Sequence, residues 1–153
     1  MRILSVDLGL ARTGLAVCDA AEWLASPVGT VACADREQLC AQVARCAAEK
    51  GAEQIVVGLP RNMDGSCGES ARRAAAFARE LERQTGLPVV LWDERLTTKA
   101  AAGFLNQTDT RGKKRRQVID TVSAVLILEN YLAWRAAHPG AAAPQPEIPE
   151  EDV

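Results

Sequence analysis

Residues 2–18 read RILSVDLGLARTGLAVC. Two apolar runs are joined here by a turn that Gly9 and Gly14 flank. The first run reads as a buried strand ending on an acid, Asp7, and the second returns over residues 14–18, so the pair predicts a β-hairpin. A carboxylate at the end of a central strand, beside a glycine-flanked turn, can hold a hard cation while a phosphate approaches the backbone closely. The same carboxylate can instead do no more than accept hydrogen bonds from the turn amides.

Outward from this hairpin, SPVGTVAC (residues 26–33) supplies a third strand, with Pro27 at its start where a ladder donor is dispensable. Asp35 is placed to cap a helix in which Leu39, Val43, Cys46 and Ala47 recur at helical spacing until Gly51 stops it. The unbroken apolar run QIVVG (residues 54–58) is typical of a strand covered on both faces. After the loop LPRNMDGSCG, a helix over about 69–84 carries Ala74, Phe77, Ala78 and Leu81 on one stripe, and Gly86 ends it. A strand over 89–92 closes on Asp93 and Glu94, and Thr97 or Thr98 caps a short helix reaching Leu105. Residues 106–116 read as a polar, basic loop, followed by a mostly apolar and therefore buried helix over 117–135. The order β-β-β-α-β-α-β-α-α predicts an α/β fold: a mixed five-stranded sheet with helices on both faces, the element order of the ribonuclease-H-like fold.

A chain of 153 residues, 48% of them hydrophobic, suits one globular domain. That domain is expected to span residues 1–136. The following 17 residues hold four of the seven prolines and read as a disordered, acidic tail. The tail carries Glu147, Glu150, Glu151 and Asp152 and no Lys or Arg, so residues 1–136 hold 18 basic and 16 acidic side chains. The formal charge of −2 thus hides a mildly basic body, compatible with nucleic acid. No apolar run approaches the roughly 20 residues that span a bilayer, and Asp7 interrupts any signal-peptide core. A cytoplasmic protein with no membrane partner is expected.

Cys18, Cys33, Cys40, Cys46 and Cys67 form no CxxC pair and suit reduced core thiols. His138 is the sole histidine, which argues against a zinc site or a histidine-based triad. Hydrolytic chemistry must then rest on carboxylates with a hard metal, or on a lone hydroxyl or thiol.

Three groups of acids are candidates. Asp7 ends the first strand. Asp93 and Glu94 end the last one, where α/β sheets form sites, and alternation allows only one of them to face the same way as Asp7. Asp120 sits near the start of the apolar helix QVIDTVSAVLILENYL, where burial is costly unless the acid is paired, protonated or metal-bound; a favourable helix-dipole contribution is the plainer account. Oxygen ligands from three elements at one sheet edge suit Mg²⁺ or Mn²⁺, and such cations activate water and stabilise the leaving oxygen in phosphodiester cleavage. The run RGKKRR (residues 111–116) borders this edge and offers Lys113, Lys114, Arg115 and Arg116 to a phosphate backbone, or else to solvent alone. The six aromatics form no cluster in the sequence, so recognition by backbone and shape is expected rather than base stacking. Arg61, Asn62 and Asp64, in the loop after the fourth strand, either orient substrate or turn the chain.

The segments DLGLARTGLAVCD, VGLPRNMDGS, DERLTT and VIDTVSAVLILENYL, in this order and spacing, resemble the YqgF/RuvX family over residues 2–135. That bacterial group is Holliday junction resolvase-like and is also described as the nuclease that matures the 16S ribosomal RNA precursor. The resemblance implies a ribonuclease-H-like fold and metal-dependent phosphodiester hydrolysis. It implies Asp7, Glu94 and Asp120 as the catalytic and metal-binding acids. Arg12, Arg61, Arg95 and the run from Lys113 to Arg116 are implied as substrate contacts. Expected partners are structured RNA or branched DNA, with ribosomal precursor particles as the setting; the oligomeric state is left open.

Two other classes compete. A phosphotransferase of the actin/hexokinase type shares an acid followed by a glycine-bearing turn, but needs two such domains around its nucleotide, more than 153 residues supply. A non-catalytic RNA-binding assembly factor would keep the basic run and use the acids structurally.

Overall fold

The computed structural model describes residues 1–32, 35–60, 68–93, 112–144 and 146, with positions 112–120 described by backbone alone. Three strands come first: β1 (Ile3–Leu8), β2 (Thr13–Cys18) and β3 (Ala25–Val31). Helix α1 (Arg36–Lys50), strand β4 (Gln54–Leu59), helix α2 (Glu69–Thr85), strand β5 (Val89–Asp93) and helix α3 (Gly112–Ala137) follow. The sheet order is β3-β2-β1-β4-β5. Strands β1, β4 and β5 run parallel, and β2 is antiparallel to both of its neighbours. The expected mixed five-stranded sheet with helices on both faces is therefore present. The expected short helix up to Leu105 lies outside the described residues.

Alternation along the strands divides the interior in two. Leu4, Val6, Leu15, Ile55, Val57 and Leu59 face α1 and α2, where they meet Val43, Phe77 and Leu81. Ile3, Ala16, Val56 and Val90 face the other way and meet Ala124, Ile127, Leu128 and Tyr131 of α3. Pro27 lies on the edge strand β3, opposite Ala16, where the register shifts and the missing N–H costs no interior ladder bond.

Helix α1 begins and ends where its local chemistry dictates. The Asp35 carboxylate accepts from the amides of Glu37 (2.8 Å) and Gln38 (3.2 Å), and Gly51 closes the helix at φ 68°. Asp35→Ala removes the one oxygen, Oδ1, that accepts both bonds and should cost about 1 kcal/mol, read as a lower urea midpoint with an unchanged slope.

Helix α3 corrects the sequence reading. It starts at Gly112, so the backbone from Gly112 to Arg116, expected as loop, is helical. Lys and Arg are good helix formers, and a run of them lacks the apolar periodicity that marks a helix in sequence. The helix also runs past residue 135 to Ala137. The chain then folds over it: the His138 amide donates to the Trp134 carbonyl (3.0 Å), the Ala141 amide donates to that of His138 (3.1 Å), and Ala143 packs half-buried against the α3 core. Gln145 and residues 147–153 lie outside the described residues.

Among the described residues no helix is long and apolar enough to cross a membrane. Cys18 and Cys40 are buried, Cys46 is half-buried, and all three are free thiols. Burial pushes the Cys40 thiol up to about 11, which keeps it protonated at neutral pH.

Candidate active site

Asp7 is the fifth residue of β1, half-buried, and lies on the face that α3 covers, since Val6 belongs to the opposite core. The turn after it is tight. A Cβ at Gly9 would lie 2.1 Å from the Arg12 carbonyl oxygen, so only glycine allows the backbone to close there. Arg12 is half-buried at the end of this turn, and Leu10 at its tip is exposed.

The register explains what surrounds the carboxylate. Asp7 pairs with Gly14 on β2. One step beyond the Val6–Val57 pair, Gly58 of β4 comes alongside Asp7 on its other side, and Gly58 pairs in turn with Trp92 of β5. The row across the α3 face thus reads Gly14, Asp7, Gly58, Trp92. Neither strand neighbour of Asp7 carries a side chain, which leaves space on both sides of the carboxylate for a ligand to approach the sheet.

Strand β5 separates the two adjacent acids. Val89 and Leu91 pack on the α1/α2 side, and Asp93 follows them in the alternation, so Asp93 lies on the face opposite Asp7. Glu94, Arg95 and Arg61 lie outside the described residues.

Helix α3 runs antiparallel to β1. The Tyr131 hydroxyl donates to Oε1 of Gln54 (2.9 Å), and Gln54 pairs with Ile3 at the start of β1. Nearer the other end, the Ser5 hydroxyl donates to the Ala124 carbonyl (2.7 Å). One further turn of helix, about 6 Å, leads back from Ala124 to position 120, and two further residues of strand, about 6.6 Å, lead from Ser5 to Asp7. The two elements therefore carry Asp120 and Asp7 toward the same edge of the sheet. Lys113, Lys114, Arg115 and Arg116 occupy the first turns of this helix, with no acid among them to balance the charge. Cations at a helix N-terminus add to the positive end of its dipole, so this end of the molecule favours anions.

The expectation that aromatics do not cluster is corrected. Trp92 meets Tyr131 edge-on (ring centroids 5.3 Å apart) and Trp134 (6.2 Å), and Trp134 stacks on His138 (4.7 Å). Tyr131 is buried and Trp92 and Trp134 pack half-buried against the α3 core, while His138 at the end of the chain of rings is exposed. Sequence reasoning also missed Ser5, whose signal was a lone hydroxyl inside an apolar strand, and Gly58, whose place beside Asp7 depends on register.

At the opposite end of the helix, a groove of about 880 Å³ is lined by Trp23, Leu132, Arg135, His138 and Pro139. Glu22 closes it, accepting from Nε of Arg135 at 2.6 Å; that guanidinium, ahead of its other neighbours, holds the Glu22 carboxyl below its usual range. The groove is remote from the edge that carries Asp7. Among the described residues no three His, Cys, Asp or Glu side chains gather closely enough to hold a metal by themselves.

The family model described as RuvX, Holliday junction resolvase, matches residues 1–134. The chain belongs to the RuvX family. Among its relatives, a protein of Moorella thermoacetica named "Putative pre-16S rRNA nuclease" is 44% identical over 135 residues, covering 86% of this chain and 94% of the relative. Proteins of the same name from Listeria monocytogenes and Halalkalibacterium halodurans are 42% and 43% identical over 134 residues, with 86% of this chain and 97% and 96% of theirs covered. The chain also resembles Thermus thermophilus RuvC, solved with a Holliday junction substrate, at a TM-score of 0.59 and 14% identity, covering 90% of this chain and 97% of that one. At that identity the likeness shows the fold, which is ribonuclease-H-like. Membership places the chain among nucleases, hydrolases of phosphodiester bonds.

Proposed function

We propose that this protein is a divalent-metal-dependent endonuclease that cuts the 16S ribosomal RNA precursor during ribosome assembly. The observation that carries the reading is the approach of β1 and α3 to one sheet edge, with Asp7 between two glycines and position 120 a helical turn beyond the Ser5–Ala124 bond. The relatives named for pre-16S rRNA support RNA as the substrate. Free thiols at Cys18, Cys40 and Cys46 accord with a reducing cytoplasm.

The donor set fits Mg²⁺ or Mn²⁺. Asp7, Glu94 and Asp120 would provide hard oxygen ligands, and no histidine or thiolate is required. A bound divalent ion supplies an activated water and neutralises charge on the scissile phosphate and leaving oxygen. The chain's own part is to hold these carboxylates at one edge and to keep the neighbouring positions clear at Gly14 and Gly58. Lys113, Lys114, Arg115 and Arg116, with Arg12, Arg61 and Arg95, draw in the flanking phosphates, contacts that fix position without reading sequence.

The family description favours a second substrate, the four-way DNA junction. Cleavage of end-labelled 16S precursor and of a four-way junction, side by side with Mg²⁺, Mn²⁺ or EDTA, separates the two. The expected result is metal-dependent cutting of the precursor that Asp120→Asn abolishes. Preference for the junction would make the protein a resolvase. Precursor binding without cutting under every metal would make it an assembly factor with structural acids.

A further inference from the structure

Ser5 is fully buried at the middle of the central strand β1. Its register partners are Ala16 on β2 and Val56 on β4, and the α3 face around it is built from Ile3, Ile127 and Leu128. Every one of these neighbours is apolar, so packing alone calls for alanine or valine at position 5, and an unbonded hydroxyl would be costly here. The hydroxyl is bonded: it donates to the Ala124 carbonyl at 2.7 Å. Ala124 lies inside α3, whose carbonyls already accept from amides four residues on, so the helix gains no missing donor from the bond. Its effect is instead to lock the helix against the strand.

That lock sits beside the proposed ligands. It is two residues from Asp7 on one element and one turn from Asp120 on the other. The apolar contacts around Ser5 are non-directional, whereas a short hydrogen bond fixes the point at which helix and strand meet. Mg²⁺ demands near-ideal octahedral geometry at about 2.0–2.1 Å, so a small slip of α3 along the sheet would spoil ligands that come from both elements. At the far end, the bond from Tyr131 to Gln54 ties the helix to β4, seven residues from Ala124.

We propose that Ser5 is a positioning residue: its bond to Ala124 sets the spacing between the strand bearing Asp7 and the helix bearing Asp120, and thereby the affinity of the carboxylates for the metal. This rests on the metal-carboxylate reading above. Its test is calorimetric titration of Mn²⁺ into the EDTA-stripped protein, with thermal unfolding recorded in EDTA. Ser5→Ala should weaken Mn²⁺ binding by about tenfold, the equivalent of one net hydrogen bond, while the metal-free midpoint moves little. Ser5→Cys, nearly isosteric but a weak donor, should fall between, and Ser5→Thr, which keeps the hydroxyl, should restore binding.

Asp7→Asn is the control that separates the two layers. Loss of Mn²⁺ binding in Asp7→Asn, with wild-type affinity in Ser5→Ala, would overturn the role of Ser5 alone. Wild-type affinity in Asp7→Asn would overturn both. If Ser5→Ala fails to fold, a folded Ser5→Cys with undiminished affinity would reduce Ser5 to a packing residue.

Discussion

Asp7→Asn should leave a folded protein that binds RNA and does not cut it. The substitution keeps size and shape, so the pairing of position 7 with Gly14 and the turn beyond it have no reason to change. What disappears is one negative charge and a hard oxygen donor. Metal-centred charge stabilisation contributes several kcal/mol to a transition state, and each 1.36 kcal/mol is tenfold, so the single-turnover rate should fall by about a thousandfold. RNA affinity, measured by filter binding in EDTA, should hold or rise, because a negative charge leaves the edge where phosphates would sit. A wild-type cleavage rate in this variant would remove the carboxylate mechanism altogether.

The second large effect is expected on binding. Replacing Lys113, Lys114, Arg115 and Arg116 together by glutamine should weaken RNA affinity and flatten its dependence on salt. Each phosphate contact steepens the plot of log affinity against log salt by about 0.7 on single strands and 0.9 on duplex DNA, so losing four should reduce the slope by about 3. The rate at saturating RNA should stay near wild type, since these charges grip ground state and transition state alike. Stability should rise slightly, because four cations no longer oppose the dipole at the start of α3. Reduced affinity together with greater stability cannot come from unfolding, and an unchanged salt slope would exclude the run from the RNA interface.

Elements whose limits are set by local chemistry were legible in the sequence. Asp35 and Gly51 bracket α1 as expected, and the alternating and continuous apolar runs locate all five strands to within two residues. The start of α3 was not legible, because the lysines and arginines before residue 117 carry no apolar period and resemble a solvated loop. The site was legible only in its residue types. Alternation allowed one of Asp93 and Glu94 to face Asp7, and the structure places Asp93 on the opposite face. The glycines flanking Asp7 come from strands whose register is a long-range property, and the bond from Ser5 to Ala124 joins residues 119 apart in sequence.

That sequence separation has a kinetic consequence. Synthesis proceeds from β1, so the sheet's first face can close on α1 and α2 once residues through Asp93 have emerged from the ribosome, whereas its other face waits for α3. Thirty-nine residues separate Asp93 from Leu132, the last buried member of the second core. At elongation rates of about 5–20 residues per second that interval is about 2–8 s, during which Ile3, Ala16, Val56 and Val90 have no helix to cover them. The nascent domain is then most open to aggregation and to chaperones. By the same timing, the helix end that carries position 120 approaches the strand bearing Asp7 only in the closing step of folding, so under the proposed mechanism an incomplete chain would hold no assembled site.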